Sequence, residues 1–355
     1  MLNKLNLLRN KIDILDLKLL DILSERLKLV KEIGLIKNKY GLPLYVPERE
    51  KSIINTKKKE AKKKGISPSF IENIFRYIIN ESYSYEKIKI FKKIKPNFSK
   101  ILIISNNKQK ISLFKEMLIT TGYNVDYIEE KNLYIKNDIT YLFKNIGMII
   151  LDISKKFFTK LVKNLSFLPK NCVLVDLSPI KEISIKKILK LYKGPVLGLY
   201  YLFDYKKDLL FKEYIIYCHG RKKKNYSWFL KQIKIWGLKI QNMDIIEHDK
   251  YIFFIKSLKY FFMLIYSTFL IKTNISLNKM FMLSKTMDCL HLFILKNCFS
   301  QNPKLYNNLI KNSKNNTRNI KKYLDYINNL AILDNKNKII EITQILRKIK
   351  KLPIT

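Results

Sequence analysis

The sequence predicts a multidomain chain with an all-α segment over residues 1–92, an α/β segment over 98–224 and an α-helical segment over 225–355. Three observations carry this reading. Apolar residues recur at threes and fours up to about residue 90. From Lys100, short β-rich runs alternate with helical stretches. Beyond about residue 225 the strands stop, and helical spacing continues to Leu346.

In the first segment Leu5, Leu8, Ile12, Leu15, Leu19, Ile22, Leu23, Leu27 and Val30 form the stripe of one long amphipathic helix. Gly41 and Pro43 break that pattern. A second helix starts near Pro47 and stops at Gly65. Ser67 followed by Pro68 opens a third, with a capping residue and then a first-turn proline. Three helices, one of them so long, cannot bury the whole stripe among themselves. In the second segment ILIIS, NVDYIE, MIILDI, CVLVDL, VLGLYY and YIIYC alternate with stretches such as FFTKLVKNL, the rhythm of a parallel sheet with crossover helices. The first strand runs into SNNKQK, where a glycine-rich phosphate loop often sits in such units. This turn has no glycine.

The chain has 355 residues and is 47% hydrophobic, enough for two or three domains with real cores. A net charge of +40 suggests a polyanion partner. However, only seven of the 69 basic residues are arginine, and the excess of Lys, Asn, Ile, Phe and Tyr with nine Gly is what A/T-rich codons produce. The lysines therefore read as solvated faces, and no ordered base-reading motif accompanies them, so neither nucleic acid nor membrane is the expected partner. Cys172, Cys218, Cys289 and Cys298 lack paired metal-ligand spacing, and no secretory signal precedes them, which predicts reduced thiols in a cytoplasmic protein without a metal. The most apolar stretch, from Tyr251, is interrupted by Lys256 and Lys259. The remaining twelve-residue run is short for a bilayer and predicts a buried helix.

Arg9, Arg26, Lys37, Arg49, Glu50, Ser82 and Glu86 form the informative constellation. On a helix Arg26 and Lys37 share a face about 16 Å apart along the axis, so two long side chains can reach one small dianion between them. Arg9 lies about 25 Å from Arg26 and meets it only if an antiparallel partner helix brings a second Arg9 back. With LLRNKID, SERLKLVKEIGLIK, VPERE and NESYSYE, the pattern resembles the all-helical chorismate mutases. Together with GLPLYVPERE, GPVLGL, WFLKQIKIWG and EHDKY, nearly the whole chain resembles the bifunctional chorismate mutase/prephenate dehydrogenase (T-protein) family.

That resemblance implies a helical chorismate mutase domain, a Rossmann-like prephenate dehydrogenase-type domain and a helical C-terminal dimerisation domain. It also implies a homodimer acting on chorismate in tyrosine and phenylalanine synthesis. Arg26 and the second copy's Arg9 would bind the substrate carboxylates with help from Arg49 and Ser82. Glu50 would accept from the substrate hydroxyl, and Lys37 and Glu86 would donate to the ether oxygen. The mutase needs no cofactor, whereas a dehydrogenase would need NAD. The family's three loop glycines fall here on Asn106, Lys108 and Ile111, and its acidic ribose residue on Glu129. Its catalytic histidine falls on Tyr200 and its substrate arginine on Cys289, while His248 keeps its place. A phenol titrating near pH 10 replaces an imidazole poorly as acceptor or base.

The leading expectation is therefore a chorismate mutase with a degenerate dehydrogenase region. One alternative is a working bifunctional enzyme, and another, of a different class, is a basic polyanion-binding or scaffold protein. The mutase assignment makes a pH prediction. To donate, the Glu86 carboxyl must carry its proton, because a carboxylate only accepts. Turnover of chorismate should fall as pH rises, and Glu86→Gln should flatten that limb in a rate profile from pH 5 to 8.

Overall fold

The computed structural model describes residues 2–85, 91–133, 140–201, 213–273, 276–283, 314–332 and 335–350. They belong to two compact units, Met1–His248 and Asp249–Thr355.

The first unit opens with helices α1 (Leu2–Tyr40), α2 (Pro47–Lys63) and α3 (Pro68–Tyr85). Gly41 and Gly65 follow α1 and α2 at φ of 67° and 70°, the left-handed conformation that ends a helix at least cost to glycine. Pro47 and Pro68 open the next two, where a missing N–H costs nothing. Ile54, Ile79 and Tyr83 form a small core between α2 and α3, joined by Tyr45 and Ile53. The second half of α1 lays a less exposed stripe of Leu23, Arg26, Leu27, Val30, Gly34 and Lys37 toward this core. The first half has no such cover: Leu8, Leu15 and Ile22 are 50%, 61% and 62% exposed.

A seven-stranded sheet follows in the order β2-β1-β3-β4-β5-β6-β7. The strands are β1 (Lys100–Ser105), β2 (Val125–Glu129), β3 (Ile146–Asp152), β4 (Val173–Asp176), β5 (Val196–Tyr201), β6 (Tyr214–Arg221) and β7 (Lys239–Asn242). The first five are parallel, β6 runs antiparallel to β5, and β7 is parallel to β6. Strand β1 is apolar at every step from Ile101 to Ile104 because both faces are covered. Ile101 and Ile103 face one core, and Leu102 and Ile104 the other. Helices α4 (Lys108–Thr120) and α8 (Ser227–Ile235) supply the first core. The second takes α6 (Lys155–Val162) and α7 (Lys181–Leu191), and the single-turn α5 (Glu130–Leu133) ends β2. The expectation that strands stop near residue 225 is corrected by β7. KIQN is short, polar and at the sheet edge, so it lacks the apolar signature of the inner strands.

Gln232, fully buried on α8, fastens the helical domain to the sheet. Its side chain donates from Nε2 to Lys92 O (3.1 Å) and accepts at Oε1 from Ile94 N (3.0 Å) and Tyr123 Oη (3.0 Å). Asn38 Oδ1, near the end of α1, accepts from Lys92 N (2.8 Å).

A helix that begins in the last residues of the first unit and makes up the start of the second runs Ile245–Lys272 through a π-helical stretch at Phe253–Leu258, made of α9 (Ile245–Ile252), that stretch and α10 (Lys259–Lys272). Further helices are α11 (Leu277–Leu283), α12 (Lys314–Ile332) and α13 (Asn335–Lys350). The expected burial of the apolar stretch is not observed. Phe254, Phe262 and Phe269 are 49%, 45% and 60% exposed, and the 28-residue helix is long and apolar enough to cross a membrane by length and composition. Hydrophobicity alone does not say what covers a helix, and within this chain Met263 and Leu270 are the buried pair of its local cluster.

Lys181 is fully buried in the sheet domain. Its ammonium donates to Asp176 O (2.7 Å), Ser178 O (2.6 Å) and Asp176 Oδ2 (3.4 Å), and Ser178 and Ser184 hydroxyls also donate to Asp176 Oδ2 at 2.7 Å each. Removing the cation strands a buried carboxylate, so Lys181→Ala should destabilise this domain by about 3 kcal/mol. Both tryptophans, Trp228 and Trp236, lie in or just after α8, so urea unfolding followed by their fluorescence measures this directly.

Candidate active site

The helical domain brings three of the sequence-predicted residues to one edge. Arg26 Nη1, half-buried on α1, donates to Ser82 Oγ on α3, and Ser82 Oγ donates onward to Ile78 O at 2.6 Å. The serine is 4% exposed and its hydroxyl is used in both directions, which fixes the guanidinium on the inner side of α1. One residue further on, Tyr83 Oη lies 3.5 Å from Glu50 Oε2, with both side chains buried. Glu50 sits in the first turn of α2, where a carboxylate is favoured by the exposed N–H groups.

Lys37 lies farther along the same stripe of α1, and its Nζ donates to Leu44 O at 2.9 Å in the loop between α1 and α2. Arg49 is exposed beside Glu50, and Arg9 is exposed in the uncovered half of α1. The helix is continuous from Leu2 to Tyr40, so Arg9 and Arg26 stay about 25 Å apart within one chain. Glu86 lies outside the described residues. Sequence reasoning missed Tyr83 and the Leu44 carbonyl. The tyrosine's adjacency to Ser82 was its one available signal, and a backbone carbonyl leaves none.

At the other candidate site, the C-terminal ends of β1 and β3 flank the switch point of the sheet, where open α/β folds take ligands. Here the groups are engaged with one another. Ser105 Oγ donates to Asp152 Oδ2 (3.1 Å) and accepts from Asn107 N (3.0 Å), while Asn106 N donates to Asp152 O (2.8 Å). Asn106 and Lys108 are exposed, and neither has a positive φ, so the turn closes without glycine. Ile111 is fully buried between helix and sheet, filling the space a glycine would leave. Glu129 pairs with Lys131 at 2.6 Å. That hydrogen bond holds its carboxyl below the ordinary range against slight burial.

Tyr200 ends up 9% exposed on β5, edge-on to the buried His248 ring at 5.0 Å between centroids. Sequence order alone did not say that these two would meet. Beside them, burial, with Asp152 and Tyr200 nearby, raises the Tyr201 phenol far above its usual pKa. Cys289 lies outside the described residues. Among the described residues, no cluster of three or more His, Cys, Asp or Glu is arranged to hold a metal ion.

A family model for type II chorismate mutases matches residues 8–87. The chain is 35% identical to the T-protein of Enterobacter agglomerans over 323 residues, spanning 91% of this chain and 86% of that one. The chain belongs to the T-protein family. The Haemophilus influenzae T-protein is 31% identical over 310 residues, 87% of this chain and 81% of its own. In fold, the chain is similar to the prephenate dehydrogenase of Aquifex aeolicus solved with hydroxyphenyl propionate and NAD+. The TM-score is 0.55 at 14% identity, covering 72% of this chain and 96% of that one. The chain thus carries an N-terminal chorismate mutase domain, a sheet with the prephenate dehydrogenase fold and C-terminal helices.

Proposed function

We propose that this chain converts chorismate to prephenate in a cofactor-free site completed by two copies of itself, a cytoplasmic homodimer, and that its sheet domain no longer oxidises prephenate. The observation that carries the mutase site is the joined edge of Arg26, Ser82, Tyr83 and Glu50, with Lys37 on the same stripe of α1. The rearrangement is pericyclic, with no covalent intermediate. Catalysis therefore consists of holding the reactive conformer and stabilising charge on the breaking ether oxygen.

Arg26, with Ser82 fixing its fork, grips one carboxylate, and Arg9 of a second copy grips the other with Arg49 nearby. Glu50, oriented by Tyr83, accepts from the ring hydroxyl. Lys37 and Glu86 donate to the ether oxygen. The exposed half of α1 supports the second copy, because an antiparallel α1 would cover its leucines and deliver Arg9 to the far site. Lys256 and Lys259, midway along the long C-terminal helix, weigh against a bilayer as its cover.

For the sheet domain, the switch-point groups do not fit a pyrophosphate. The N–H of Asn106 and that of Asn107 are committed inside the turn, and side chains occupy all three places where the family's loop has glycine. Tyr200 stands where the base should be, and losing such a base costs roughly two to four powers of ten. A second reading retains the oxidation. It is favoured by the intact sheet and by His248 at its family position, packed on Tyr200.

Two experiments test this. Purified protein should consume chorismate, yet give no NAD-dependent absorbance rise at 340 nm on prephenate and no shift of its thermal midpoint with millimolar NAD. A rise at 340 nm establishes the second reading. Arg9→Ala and Arg26→Ala should each lower mutase kcat/KM about thirtyfold or more. After subunit exchange an equal mixture should regain about a quarter of the wild-type sites, since half the dimers then hold one intact site. No recovery despite proven exchange would refute the shared site.

A further inference from the structure

Lys239 belongs to the edge strand β7 of the sheet, yet it reaches the helical domain. Its Nζ stands 4.7 Å from the centroid of the Tyr45 ring and 4.8 Å from that of Tyr214, a cation held between two aromatic faces. Burial works to lower the pKa of this ammonium. Hydrogen bonding to the Tyr45 and Tyr214 phenols outweighs burial and holds it above its ordinary value. It therefore stays charged across any working pH.

Tyr45 passes this anchoring inward. Its ring meets Tyr83 edge-on at 5.8 Å and 64°, and Tyr83 is the residue whose hydroxyl lies against Glu50. Its neighbour Leu44 supplies the carbonyl that accepts from Lys37. Residues 42–46 have no helix or strand of their own; backbone bonds tie the ends, Leu42 N to Lys37 O (2.8 Å) and Glu50 N to Val46 O (3.3 Å), and the Tyr45 side chain adds the contact to the other domain. One short loop thus touches two of the proposed mutase groups, and a cation from the other domain holds it.

We propose that Lys239 is a positioning residue for the mutase site, fixing the 42–46 loop through Tyr45 and thereby the placement of Lys37 and Glu50. This rests on the mutase reading above. It gives the sheet domain a part in the isomerase reaction that needs no nucleotide, as the buttress of an active-site loop.

The test uses full-length protein. Lys239→Met keeps the stem and removes the charge. It should lower mutase kcat/KM about two- to fivefold, speed backbone amide exchange over residues 42–46 and leave the tryptophan-monitored melting of the sheet domain in place. Lys239→Arg, which also stacks on tyrosine, should restore at least half of the loss. Combined with Tyr45→Leu, Lys239→Met should add little further loss, because both substitutions break the same contact. Wild-type turnover and exchange in Lys239→Met would overturn the inference, as would losses that multiply in the double variant. An inactive wild type would instead refute the mutase reading. In that case unchanged exchange over 42–46 would still refute the anchoring, and faster exchange would uphold it.

Discussion

α1 is a rod of 39 residues, and its rigidity governs much of what the N-terminal domain can do. A helix rises about 1.5 Å per residue and does not fold back, so residues set seventeen apart on it can never share a small ligand. Within one chain, α2 and α3 are too short to cover the rod, and only its second half gains partners. Exposed leucines on the first half and a solitary Arg9 are two faces of one geometric fact. The substrate site, the oligomeric state and the solubility of the N-terminal domain are thereby bound together in the proposed dimer.

The sheet domain is built to a different logic. Its inner strands are buried on both faces, and the polar groups at their ends are satisfied by one another: Ser105 with Asp152, and Asp176 with Lys181, Ser178 and Ser184. Such closed networks keep a fold intact whether or not a ligand is present. That explains how Asn106, Lys108 and Ile111 are accommodated in the strand-to-helix step without disturbing it. The turn needs no positive φ, and Ile111 adds apolar contact to the core.

Much of this was legible in the sequence because the signals were periodic. The α1 stripe, the glycine stops at Gly41 and Gly65 and the runs of β-branched residues in β1, β3 and β4 each follow from local physics. Arg26, Ser82 and Glu50 could be named from motif order, but the Arg26–Ser82 bond and the Tyr83–Glu50 contact depend on how α1, α2 and α3 pack. Strand β7 escaped notice because an edge strand needs no apolar pattern. The exposure of the long C-terminal helix escaped for the opposite reason: apolar composition reads alike in a buried helix and in one awaiting a cover. Lys239 was one lysine among many, and only its place between two tyrosines sets it apart.

The amide of Gln232 has a consequence for how such a chain can change over generations. By gripping the backbone at both Lys92 and Ile94, it stitches the inter-domain linker into the body of the sheet. A frameshift or stop codon beyond the helical domain would remove that stitch along with Lys239 and leave a frayed end beside the isomerase. Single replacements around the crevice, by contrast, leave the stitch alone. Under the proposed loss of oxidation, the second chemistry goes residue by residue while selection still holds the reading frame open to the end of the sheet.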